Sequence, residues 1–229
     1  MRLTAIITAA TLVAAAGCAN AGPATAQAPA SRPLAAFAAR PVLVLPTRYL
    51  GPDGSLGWGA QIGDPESYLG DIDAEIVFAL GARGVKNMWV FPSAIAASVR
   101  RNPTYAADPH QLAADWLRPP MKKPPEQLPE PIASQLRSLV ALQEGAQYVL
   151  LPVEVRFEPV ELAASATAAT GAAVAADRAG RAVLRVVLLD ARRSRIVWMG
   201  DVSSDPSSSF SPALAASAAE HLADLVAKP

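Results

Sequence analysis

Apolar positions along the chain fall into short continuous runs and helix-spaced stripes. Val42-Leu43-Val44-Leu45, bounded by Pro41 and Pro46, is apolar throughout, which predicts a strand covered on both faces. Ile72, Ile76, Ala79 and Leu80 share one helical face; Asp71 predicts the cap, Asp73 and Glu75 the first turn, and Gly84 the stop. Residues 87–91 predict a second buried strand closed by Pro92, with a short helix over 93–101. Asp108-Pro109-His110-Gln111 combines an acidic cap, proline at the first position and a capping-box glutamine, predicting another helix start. From Pro131, Ile132, Leu136, Leu139, Val140 and Gln143 form a stripe that Gly145 ends.

A strand follows directly over 148–157. Its second half alternates, implying an exposed face or an edge position, and Pro152 disfavours a central place unless a bulge absorbs it. Residues 181–190 and 195–200 read as antiparallel arms around Ala191-Arg192-Arg193-Ser194. Ser211 and Pro212 open a last helix with the stripe Leu214, Ala218, Leu222 and Leu225. The predicted fold is α/β: a mixed sheet of about five strands with helices packed on it in a three-layer-like arrangement. A C-terminal antiparallel hairpin and a terminal helix complete it.

Three stretches inside the single domain predicted over 41–229 lack periodicity and read as flexible, near 48–70, 118–131 and 160–180. The first contains Gly51, Gly54, Gly57, Gly59, Gly63 and Trp58. Its glycines lack the strand-turn-helix context of a dinucleotide site, and no P-loop lysine follows. The second is a proline-rich connector. The third is a loop of small residues without the aromatic girdles or sustained alternation of a membrane hairpin.

The amino terminus changes the picture. Arg2 precedes an apolar run ending in Ala15-Ala16-Gly17-Cys18, short of the ~20 residues that span a bilayer, so it reads as an export signal. Cys18 is the one cysteine of the chain, and Ala15 to Cys18 resembles the bacterial lipobox. That resemblance implies a signal peptide over 1–17, a lipidated Cys18 and an Ala/Pro-rich tether over 18–40, although Ala15 stands where an aliphatic residue is usual. An ordinary secretory signal cut after Ala21 or Ala28 is the alternative. Asn20 is not the aspartate that commonly retains lipoproteins in an inner membrane, so by analogy the expected address is the outer membrane, lipid-anchored and facing the periplasm.

Composition and charge narrow the chemistry. Apolar residues at 52% allow a substantial core. Zero formal net charge leaves no basic field for nucleic acid and no acidic tail for a cationic partner. Asp64, Glu66, Asp71, Asp73 and Glu75 suggest a metal site on paper, but no histidine lies nearby and capping accounts for them. His110 falls in an exposed first turn and His221 beside Leu222, neither with a partner at metal-ligand spacing. Gly-x-Ser-x-Gly is absent and nothing singles out a carboxylate pair. The expectation is a non-enzyme without metal or cofactor. Tyr49 and Trp58 are the candidate partner contacts, with a core position as the alternative for Trp58.

Three local patterns occur together: a helix ending in Gly145-Ala146 that runs into Gln147-Tyr148-Val149-Leu150, the hairpin from Leu189 to Gly200, and a terminal Ala/Leu helix. They resemble the small α/β domain of envelope lipoproteins related to CsgG of curli secretion, to the penicillin-binding-protein activator LpoB and to the TolB amino-terminal domain, over roughly 41–227. Asp190, Trp198 and Gly200 carry the hairpin motif. Asp190 is placed to accept hydrogen bonds from the turn amides, and Trp198 to bury area beside the terminal helix. Arg192-Arg193-Ser194 departs from the family's glycine-containing turn. The small-residue loop stands where CsgG carries membrane hairpins and is unfit to be one, so a secretion pore is not expected. The resemblance implies a membrane-anchored accessory that binds an envelope protein. The alternatives are a self-assembling structural or transport accessory, or a module for a small ligand or glycan.

Overall fold

The computed structural model describes residues 32–52, 55–121, 125–160 and 179–227. The expected signal peptide, Cys18, most of the tether and most of the small-residue loop lie outside these residues. The described strands are β1 (Val42–Val44), β2 (Tyr49–Leu50), β3 (Trp89–Val90), β4 (Tyr148–Val160), β5 (Ala179–Asp190) and β6 (Arg195–Ser203). The helices are α1 (Pro65–Ala82), α2 (Pro92–Arg101), α3 (Ile132–Ala141) and α4 (Ala213–Val226).

They build one six-stranded mixed sheet in the order β3-β1-β4-β5-β6, with β2 continuing along the edge of β4 that β1 occupies. β1 and β2 run parallel to β4, β3 runs parallel to β1, and β5 and β6 are antiparallel. The hairpin β5–β6 followed by α4 agrees with the sequence reading. The added strand, β2, comes from the stretch read as loop.

Each face of the sheet has its own core. Val44, Leu150, Val155, Phe157, Leu184 and Leu188 pack against Ile72, Ile76 and Leu80 of α1 and Leu222 and Val226 of α4. On the other face, Leu43, Leu45, Val149, Leu151, Val153 and Leu189 meet Ile95 of α2, Leu136 and Leu139 of α3, and Leu117. Alternate residues of one strand thereby serve two layers of helix, which explains why β1 and the start of β4 are apolar without interruption.

Pro152 sits in a central strand, and a bulge absorbs it. The β4–β5 register shifts between Pro152 and Glu154, leaving Val153 as the extra residue. On the other edge of β4, the Pro152 carbonyl accepts from the Arg48 N–H at 3.2 Å. The donor that Pro152 lacks therefore faces the break between β1 and β2, where Pro46 interrupts the neighbouring strand. Thr47 in that break is fixed to α1, its N–H and hydroxyl both donating to Asp73 at 2.7 and 2.6 Å. The shift also decides orientation: Val153 and Glu154 both lie on the α3 side, so Val155 and Phe157 enter the α1–α4 core. Without it, a one-residue slip would turn Glu154, Arg156 and Glu158 into that core.

Two helix predictions require correction. α1 starts at Pro65, not near Asp71: the Asp64 carboxylate accepts from the Ser67 N–H at 2.8 Å and Pro65 fills the first turn. Asp108 does accept from the His110 N–H at 2.8 Å, but only one 3-10 turn, Pro109–Gln111, results. Gln135 of α3 explains the stop. Its side chain accepts from the Ala113 N–H and donates to the Gln111 carbonyl, replacing helical bonds with tertiary ones. Leu112, Ala114 and Leu117 are buried as this segment crosses the sheet.

Candidate functional site

Past the bulge, charged residues occupy the α3 side of the sheet. Arg185 donates from Nε and Nη2 to the two oxygens of Asp201 at 2.8 and 3.0 Å. Asp201 also accepts from Arg156 Nη2 at 2.8 Å. Arg156 Nε donates to Glu158 at 2.9 Å, and Arg181 reaches the same carboxylate at 3.3 Å. Glu154 accepts from Arg118 Nε at 2.8 Å, with Arg118 Nη2 at 2.7 Å from the same oxygen. The Arg118 carbonyl accepts in turn from Arg185 Nη1. Tyr49 lies beside Glu154, its ring under the guanidiniums of Arg48 at 5.1 Å and Arg118 at 4.9 Å. Gly51 makes this packing possible, because a Cβ there would come within 2.7 Å of the Arg156 Cβ.

Burial sets the electrostatics of this plate. The Arg185 side chain is 8% exposed and that of Glu154 6%, and charges this deep persist only when paired. Burial pushes the Asp201 carboxyl up, but hydrogen bonds from Arg185 and Arg156 outweigh it and hold the group below the usual carboxylate range. Arg156 is held above its ordinary value despite burial, by Asp201 and Glu158. The Tyr49 hydroxyl is raised, first by burial and then by its hydrogen bond to Asp115, with Arg48 opposing. Asp201 and Arg156 are thus held in their charged forms within the plate. Five guanidiniums (Arg48, Arg118, Arg156, Arg181, Arg185) face four carboxylates (Asp115, Glu154, Glu158, Asp201). Buried N–H groups on Arg48, Arg156 and Arg181 have no acceptor among the described residues.

A cleft of about 390 Å³ opens on the opposite face of the sheet, beside the start of α1. Tyr68 and Phe210 line it, with Gln61, Asp64, Asp71 and Glu75 around them. Burial, reinforced by the negative charge of Asp71, pushes the Tyr68 hydroxyl up to about 12. It stays protonated at neutral pH, and it has no hydrogen-bond partner among the described residues.

Of the sequence candidates, Tyr49 enters the plate and Trp58 does not. Trp58 is 4% exposed and stacks edge-on with Phe157 at 5.7 Å, so it takes the core position of its two alternatives. Asp190 is fully buried; it accepts from the Arg193 N–H at 3.0 Å and from Gln147 Nε2 at 2.8 Å. Burial would raise its carboxyl, but those bonds and Arg193 hold it low. Trp198 packs on the α1–α4 core, its ring over Gly200, where a Cβ would lie 2.5 Å from ring carbon Cζ2. Ser194 takes the left-handed conformation, φ 49°, that a glycine would otherwise supply. His221 sits with Nδ1 2.5 Å from the Ser203 carbonyl, and His110 is exposed. The sequence reading missed the plate arginines. Their signal was present as alternation, Glu154-x-Arg156-x-Glu158 and Arg181-x-x-x-Arg185, but Asp201 and Arg118 join them only through tertiary structure.

Among the described residues, no group of three or more His, Cys, Asp and Glu is placed to hold a metal ion, and no helix is long and apolar enough to cross a membrane. No family model matches the chain, and no curated protein is similar to it. Solved structures that overlay on it include a PelC dodecamer from Paraburkholderia phytofirmans, 13% identical over 83% of this chain and 89% of that one, with a TM-score of 0.37. Lipoprotein GNA1162 from Neisseria meningitidis is 17% identical over 71% and 78%, with a TM-score of 0.30. The hypothetical protein CT253 from Chlamydia trachomatis is 15% identical over 72% and 71%, also with a TM-score of 0.30. Likenesses this faint carry no argument about what this chain binds.

Proposed function

We propose that the chain is a lipid-anchored envelope protein, held through Cys18, that works without catalysis by docking another envelope protein on the arginine-tyrosine plate. The observation that supports this most is the plate itself. Arginine and tyrosine are the residue types that dominate protein interfaces. Here their side chains are fixed by mutual ion pairs before any partner arrives, which lowers the entropy lost on binding. The lipobox-like Cys18 and the tether supply the rest: anchoring raises the concentration of the module near any partner at the same membrane. The resemblance of the Asp190–Gly200 hairpin to CsgG-, LpoB- and TolB-like domains is compatible with this role, and the outer membrane is the address we favour.

Crosslinking in intact cells tests it, comparing wild type with Cys18→Ser and with Arg181→Glu. A dominant envelope partner that is lost in both variants supports the proposal. Crosslinks unchanged by Arg181→Glu would remove the plate from it. Crosslinks chiefly between copies of the chain would favour self-assembly, the second reading, for which β6, an edge strand among the described residues, offers a pairing surface.

A further inference from the structure

The row of residues paired across the lower end of the sheet reads Trp89, Val42, Tyr148, Asp190 and Arg195. Four connectors lie beyond that row: 32–41 leading into β1, 83–88 into β3, 143–147 into β4, and the turn 191–194. The end of α4 joins them, because the Leu34 N–H donates to the Leu225 carbonyl at 3.2 Å. These connectors contain Arg32, Arg40, Arg83, Lys86, Arg192 and Arg193, against Glu144 as their one acid. Glu220 and Asp224, near the end of α4, both pair with Arg83, and Asp190 pairs with Arg193, so the cations of this end still outnumber its acids. In a chain of zero formal net charge, this end is basic, whereas Asp64, Glu66, Asp71 and Asp205 gather where α1 starts and β6 finishes.

Two large apolar side chains accompany the cations. Met88, 40% exposed, belongs to the 83–88 connector, and Phe78, 70% exposed, shares a shallow groove with Lys86 near the end of α1. The covalent path leads to the same place. The described chain begins here at Arg32, 14 residues after Cys18, a reach of at most ~50 Å.

We infer that this basic end rests on the headgroups of an anionic phospholipid bilayer, with Lys86 and Arg192 toward the phosphates and Met88 and Phe78 at the interface. The inference rests on the anchored reading for its orientation. It places the arginine plate, six to ten residues farther along β4, roughly 20–33 Å from the connector end, where a partner has room to dock. Each cation near an anionic surface strengthens binding about fivefold, and salt screens the effect.

The test uses the mature chain with Cys18→Ser, cosedimented with phosphatidylglycerol–phosphatidylethanolamine vesicles and with phosphatidylcholine vesicles. Salt-sensitive binding to the anionic vesicles alone is expected. Lys86→Glu with Arg192→Glu, both exposed side chains, should weaken it more than about tenfold at unchanged melting temperature. Equal binding to both vesicle types, no binding to either, or full binding by the double variant would overturn the inference. The anchor is read separately, from the mass of the amino-terminal peptide isolated from cells. An unmodified Cys18 sinks the anchored reading, and the vesicle result stands apart from it.

Discussion

Asp201 is the sharpest place to perturb the plate, because one carboxylate holds two arginines. Asp201→Asn keeps the shape and removes the charge. Arg185, 8% exposed, then lies with an amide where its counter-ion stood, though its bond to the Arg118 carbonyl survives. Breaking a buried ion pair costs about 3–5 kcal/mol, and exposed pairs contribute at most about 1. Asp201 is 35% exposed, so water screens part of the loss, and about 2 kcal/mol near neutral pH is expected. For a domain of this size that is a fall of roughly 4–8 °C in melting temperature. The pH dependence separates charge from shape. The Asp201 carboxyl is lowered in the folded protein, so its contribution is complete above the unfolded carboxylate value near ~3.9 and disappears as pH falls through the lower folded value. Wild type and variant should therefore begin to converge below about pH 4 and meet under the lower folded value. Replacing the pair by Arg185→Met with Asp201→Asn should cost less than Asp201→Asn alone. Chemical denaturation across pH reads all of this; a gap that stays constant into acid, or a single variant within ~0.5 kcal/mol of wild type, would refute the account.

Three further substitutions test the scaffold. Trp58→Ala should cost about 3–5 kcal/mol in denaturant unfolding, since it empties an aromatic site beside Phe157 and Phe210; a loss under ~1 kcal/mol would mean that the ring is not core. Gly200→Ala should destabilise by about 1–3 kcal/mol, because the new methyl meets the Trp198 ring. Indole fluorescence should shift with it, and an unchanged spectrum and stability would contradict the contact. Asp64→Ala should cost about 1 kcal/mol by loss of the α1 cap, whereas Asp71→Ala, within the helix, should change melting little.

The contrast between Asp64 and Asp71 shows where the sequence was legible. Stripes and apolar runs located α1, α3, β1, β4 and the hairpin because burial on two faces writes itself into periodicity. The start of α1 was misplaced because the first apolar position of its stripe, Ile72, comes two turns after the true cap. The helix expected from Asp108 fails for a tertiary reason, since Gln135 takes the backbone groups that a helix would have used. Tyr49 was legible as a contact candidate, yet what makes it part of a site, Arg48 and Arg118 over its ring, depends on residues 69 positions apart in Tyr49 and Arg118. Trp58, in a glycine-rich stretch, carries the same sequence signal as Tyr49. What separates them is Phe157, brought across by β4.

The plate and the bulge are one feature seen twice. Pro152 cannot donate to the ladder, and the chain answers with a strand break on one side and an extra residue, Val153, on the other. That extra residue reverses the facing of everything after it. The lower half of β4 sets Val149 and Leu151 under α3, while the upper half sets Glu154, Arg156 and Glu158 on that same side. A single irregularity thereby converts a strand that is apolar on both faces into one that is apolar on one face and charged on the other. The sequence shows the same boundary as the point where continuous apolar residues give way to alternation. The position of the proposed docking surface is therefore set by backbone geometry, and charge-changing substitutions above Val153 should alter docking without reaching the packing below it.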